Sequence, residues 1–92
     1  ELARKLGDQR LEMQVLRNLG NACNVMGEHE HSIRYNLKRL EIAKVLTDDR
    51  TQEQALGSLC VAYEALGQTH SAIQCYEDRL HLARQHQDER LE

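Results

Sequence analysis

Five histidines, three cysteines and three serines are this sequence's imidazole, thiol and serine hydroxyl candidates for nucleophilic or metal-binding chemistry. Their spacing assembles no reaction centre. His29 and His31 are two residues apart, which on a helix turns their rings roughly 200° from one another. His81 and His86 are five apart and again on different faces. Neither pair has the H-E-x-x-H spacing that puts two imidazoles one turn apart on one face. Ser32, Ser58 and Ser71 lie in no G-x-S-x-G elbow; Ser32 and Ser58 read as small packing residues and Ser71 as a cap. Cys23, Cys60 and Cys75 fall on apolar stripes, where a thiol acts as a small hydrophobe. The glycines occur singly, so no phosphate-cradling loop is present. The expectation is a chain without enzymatic activity, with no catalytic residue, no metal site and no cofactor.

Composition narrows the classes further. The 92 residues carry a net charge of −3, with 15 acidic and 12 basic side chains interspersed. A nucleic-acid partner is not expected, because no basic face emerges from that mixture. Arg34, Lys38, Arg39 and Lys44 form the single basic cluster and read as a solvated helix face. No apolar run approaches the roughly 18 residues of a membrane span, so membrane insertion is not expected. Three cysteines without C-x-x-C spacing fit neither a disulfide framework nor a zinc site. Reduced thiols point to an intracellular, cytoplasmic location.

The elements that must position any site follow from an internal repeat. Shifting the sequence by 40 superposes Glu1–Gln52 on Glu41–Glu92 with identity at 16 of 52 positions, far above chance. Periods of 20–50 residues mark solenoids, in which each unit buries its apolar face against its neighbours. Within each unit apolar residues recur every three or four positions: Leu16, Leu19, Ala22 (or Cys23) and Met26, then Ile33, Leu37, Leu40, Ala43 and Leu46. Leu56, Leu59, Ala62 (or Tyr63) and Leu66, then Ile73, Tyr76, Leu80 and Ala83, repeat the pattern. Gly27 and Gly67 can adopt the left-handed conformation that ends a helix. Asp8, Asp48 and Asp88 recur where a carboxylate can cap the next helix, and Asp49 with Gln52 suggests a capping box. The spacing predicts helices over Gln9–Met26, Glu30–Leu46, Arg50–Leu66 and His70–His86. Residues 1–8 then close a preceding repeat, 9–48 and 49–88 form two full repeats, and 89–92 open a following one. The chain reads as an excerpt from a longer array. Leu19, Leu59, Ile33, Ile73, Leu40 and Leu80 are expected between helices.

At Leu16, Leu19-Gly20, Ala22-Cys23, Gly27 and Ser32-Ile33, and again at Leu56, Leu59-Cys60, Ala62-Tyr63, Gly67, Ala72-Ile73 and Tyr76, the chain resembles a tetratricopeptide repeat (TPR). The usual period of that motif is 34; six further residues lengthen its two helices by almost two turns in all. The 40-residue period, the Leu19–Ala22 segment LGNA, and the helix ends LEIAK and LHLAR resemble the LGN/Pins class of cell-polarity adaptors. The chain departs from the motif at Cys23 and Asn36, which occupy aromatic positions, and at Cys60-Val61. Gly57 sits inside a predicted helix, at about 1 kcal/mol relative to Ala.

The resemblance implies an all-α right-handed superhelix whose first (A) helices line a concave groove. Projected onto this sequence, the groove positions are Gln14, Arg17, Asn18, Asn21 and Asn24 in the first unit. In the second they are Gln54, Ser58, Val61 and Glu64. Asn and Gln offer both donor and acceptor to an extended peptide backbone, and Arg17 can pair a carboxylate. The implied function is a non-enzymatic scaffold that binds a partner peptide or protein. The alternative is a structural spacer, or a segment that self-associates through exposed repeat ends.

Overall fold

Four α-helices in chain order account for almost all of the polypeptide. The computed structural model describes the backbone of residues 2–91 and the side chains of residues 4–87. The helices are α1 (Leu2–Val25), α2 (His29–Val45), α3 (Asp49–Ala65) and α4 (Thr69–Leu91), with no strand among the described residues. The chain is all-α, and no described helix is long and apolar enough to cross a membrane.

The three turns share one hydrogen-bond pattern. Glu28 N–H donates to Cys23 O at 2.8 Å and Gly27 N–H to Asn24 O at 3.1 Å. Asp48 to Ala43 (2.8 Å) with Thr47 to Lys44 (3.1 Å), and Gln68 to Tyr63 (2.9 Å) with Gly67 to Glu64 (3.0 Å), repeat it. This closure needs a left-handed residue at its centre. Gly27, Thr47 and Gly67 supply it, at φ of 81°, 51° and 73°. They fall 20 residues apart, so each 40-residue repeat consists of two halves of equal length. The glycines are expected there. Thr47 is not, since a β-branched residue in that conformation carries about 1–2 kcal/mol of strain.

The interior helix ends lie one residue from those predicted, but the outer ends differ. α1 runs unbroken through Gly7 and Asp8, so Asp8 caps no helix, and α4 continues past His86. A reversal is held by packing between the two helices it joins. Among the described residues, no earlier helix lies against the start of α1 and no later one against the end of α4. Glu1, the capping role expected of Asp88, and the contacts of residues 89–92 lie outside the described side chains. At the one acidic cap in the middle of the chain, Asp48 rather than Asp49 does the work. Its carboxylate accepts from Thr51 N–H at 3.1 Å and from the Thr51 hydroxyl at 2.6 Å. Asp49 accepts from the Gln52 amide instead.

Packing is sequential. α1 lies on α2, α2 on α3 and α3 on α4; α1 also touches α3, while α4 meets neither α1 nor α2 among the described residues. The helices therefore do not close into a four-helix bundle, and the molecule is a slab of 39 × 34 × 16 Å. The core centres on α3, which has neighbours on both sides: Ala55, Leu56, Leu59 and Cys60 meet Leu40, Cys75 and Leu82, with Ile33 and Tyr63 against them. Of the six residues expected between helices, Leu59 and Leu40 are buried and Ile33 is half-buried. Leu19, Ile73 and Leu80 are instead exposed at 40%, 50% and 51%. Among the described residues, no helix covers on α1 and α4 the faces that are covered on α3 and α2.

One stripe of α2 buries polar groups in the same interface. Ser32, Asn36 and Arg39 lie at helical spacing and are all buried. The Asn36 amide donates to Ser32 O at 3.0 Å and Ser32 Oγ at 3.2 Å. It fits only because Gly20 on α1 has no side chain: a Cβ there would stand 2.7 Å from Asn36 Nδ2.

Candidate functional site

The residues of α1 and α3 that face each other enclose two adjoining clefts on one side of the slab. The larger, about 510 Å³, has Arg17, Asn21 and Asn24 along its α1 wall and Gln54, Ser58 and Val61 along its α3 wall. The smaller, about 260 Å³, continues past Gln14 and Thr51 to Arg10, and shares Arg17, Gln54 and Arg39 with the larger. Together they form an open trough. Seven of the nine positions projected from the sequence line it. The α1 stripe of Gln14, Arg17, Asn21 and Asn24 steps by three, four and three residues, covering about 15 Å of helix.

The other two positions stand apart. Asn18 is exposed on α1 and lines neither cleft. Glu64 accepts a hydrogen bond from the Tyr76 hydroxyl, which raises the Tyr76 pKa because ionisation would set two anions together. At the far end of the trough, His29 and Asn24 are hydrogen-bonded at 3.0 Å, which holds the Asn24 amide against the first turn.

The floor comes from residues that groove positions on the A helices do not include. Arg39 of α2, expected from its sequence neighbours on a solvated face, is only 3% exposed. Its guanidinium reaches between α1 and α3 to donate to Gln54 Oε1 at 2.8 Å. Its Nε has no partner. Burial lowers the Arg39 pKa, the like charge of Arg17 lowers it further, and Asp48 partly offsets both. Arg79 of α4 lies over Gly57, where a Cβ would be 3.4 Å from the guanidinium carbon. Gly57 therefore leaves space through which an arginine from the outer helix enters the cleft. A signal for both arginines was present in the sequence, since Arg39 and Arg79 coincide in the 40-residue shift.

The remaining reactive groups lie elsewhere. Cys60 and Cys75 are buried beside one another, and desolvation pushes both thiols up, Cys75 to about 11. Protonated thiols of that kind are poor nucleophiles. His86 Nε2 lies 3.0 Å from Asp49 Oδ2. No three His, Cys, Asp or Glu side chains among those residues are placed to hold a metal ion. What the trough offers chemically is hydrogen bonding and positive charge. No family model matches the chain, and no curated protein matches it.

Proposed function

We propose that this chain is a TPR-type α-solenoid segment of the 40-residue LGN/Pins kind, acting as a non-enzymatic adaptor scaffold that holds an extended peptide of a partner protein in the α1–α3 trough. The observation that carries this reading is the lining of that trough. Asn21, Asn24, Gln54 and Ser58 present amides and a hydroxyl, which can bind peptide backbone whatever its sequence. Three further features support it: the sequential, unclosed helix packing, the Schellman turns every 20 residues, and the contact between the two A helices. The three free cysteines suit a reducing, cytoplasmic setting.

The test uses peptides selected from a random phage-displayed library against the whole chain. Their affinities are then measured for the Arg17→Ala/Asn21→Ala double variant and for Lys38→Ala, an exposed residue on α2 that lines neither cleft. Removing a hydrogen bond that is buried on binding should cost about 1–3 kcal/mol, so the double variant should bind at least tenfold more weakly while Lys38→Ala is unchanged. Equal affinities, with helicity intact, would leave the spacer reading standing instead.

A further inference from the structure

Among the described residues, Arg17, Arg39 and Arg79 form no ion pair, although the chain carries 15 acidic side chains. All three line the larger cleft, and no carboxylate lines it with them. We propose that this arginine triad is an anion site for a phosphorylated side chain of the bound peptide, with Arg39 as the floor and Arg17 and Arg79 as the walls. The proposal rests on the trough being a peptide groove and specifies the chemistry of what enters it.

Arg39 is the anchor. A guanidinium this deeply buried is normally paired with an acid or fully hydrogen-bonded, because desolvating the charge is unfavourable. Here its single acceptor is the neutral Gln54 amide, and Nε is left without a partner. The carboxylate whose charge reaches it, Asp48, is occupied by Thr51 as the cap of α3. Arg39 lines both clefts.

The other two cations line the larger cleft from different helices. Arg17 descends from α1, near enough that its charge disfavours the protonated form of Arg39. Position 57 is the second-unit equivalent of Arg17, and as glycine it yields that space to Arg79. The substitution thus exchanges an arginine from the inner helix for one from the outer helix, and three cations face the same cleft. A single carboxylate carries one charge and matches one guanidinium fork. A phosphate monoester carries about −1.5 to −2 charges near neutral pH and three acceptor oxygens, which several forks can share.

The decisive measurement is an NMR titration of the arginine Nε–Hε signals of the whole chain at constant ionic strength. Three otherwise identical Gly/Ala peptides carry phosphoserine, serine or two adjacent glutamates at the centre, and inorganic phosphate is a fourth probe. The phosphoserine peptide should shift the Arg39 signal saturably and bind at least tenfold more tightly than either other peptide or free phosphate. Arg17→Ala and Arg79→Ala, both at exposed positions, should each weaken that binding about fivefold or more, with Arg34→Ala as the unaffected control. A glutamate peptide of equal affinity, free phosphate as tight as the peptide, or an unmoved Arg39 signal would each overturn the assignment. Library-selected peptides that depend on Asn21, combined with a phosphoserine peptide that leaves the Arg39 signal unmoved, would preserve the groove while removing this site from it.

Discussion

Replacing each helix-interior glycine by alanine should give three different results, because the three sites differ only in what a Cβ would meet. Alanine is favoured over glycine in a helix interior by about 0.8–1 kcal/mol. At Gly7 on exposed α1 nothing lies within 4 Å, so Gly7→Ala should gain most of that amount. At Gly57 the nearest atoms, 3.4 Å away, belong to the flexible end of Arg79, which can shift slightly; a gain of about 0.5 kcal/mol is expected. At Gly20 the Cβ would stand 2.7 Å from Asn36 Nδ2, inside van der Waals contact. Asn36 is 1% exposed and its amide is bonded to Ser32, so moving it disrupts two buried hydrogen bonds. Overpacking of this kind costs about 1–3 kcal/mol, which outweighs the propensity gain and leaves Gly20→Ala destabilised by up to about 2 kcal/mol. Urea unfolding followed by helical circular dichroism would show the midpoints in the order Gly7→Ala, Gly57→Ala, wild type, Gly20→Ala. In a double-mutant cycle, Asn36→Ala should recover at least 1 kcal/mol of the Gly20→Ala loss. A Gly20→Ala chain as stable as wild type, or a cycle without coupling, would refute the close approach of α1 and α2 at this point.

Thr47→Gly should stabilise the chain by about 0.5–1 kcal/mol, because it removes a β-branched residue from a left-handed turn (φ 51°) and gives up only an exposed hydroxyl hydrogen bond; a lower urea midpoint would contradict the turn geometry. Leu59→Ala should cost about 2–5 kcal/mol at a site 1% exposed, whereas Leu19→Ala, at the equivalent position but 40% exposed, should cost about 1 kcal/mol or less; equal losses in urea titration would show that the two sites share one environment. The Asp48 carboxylate is held below its usual range, chiefly by the Thr51 hydroxyl. A depressed folded pKa stabilises above the unfolded value, near about 4, and the stabilisation disappears as pH falls through the folded value. Asp48→Ala should therefore cost about 1 kcal/mol at pH 7 and less in acid, while Asp48→Asn keeps the cap and loses the pH dependence; identical urea midpoints at neutral pH for all three chains would disprove the cap.

The helical state of this chain and its three interior turns were legible in the residues. Apolar positions every three or four residues allow nothing but helices, and Gly27 and Gly67 mark turns because a left-handed backbone excludes most side chains. Seven of the nine projected positions line one trough for a similarly local reason: residues at helical spacing share a face wherever the helix packs. Sequence shows the period of a stripe but not which helix lies opposite it. The identical leucines at positions 19 and 59 differ in burial because, among the described residues, α3 is covered on both sides and α1 is not. Tertiary structure also decided whether Gly7 and Asp8 make a turn, since a reversal survives only if a second helix packs against the first. Arg39 is the sharpest case. Its neighbours Lys38 and Arg34 are solvated, as composition suggests, but one turn of helix carries it between α1 and α3, where Gln54 meets it. Charge is a property of the residue, whereas burial belongs to the assembled helices, so the arginine floor of the trough exists only once three helices have met.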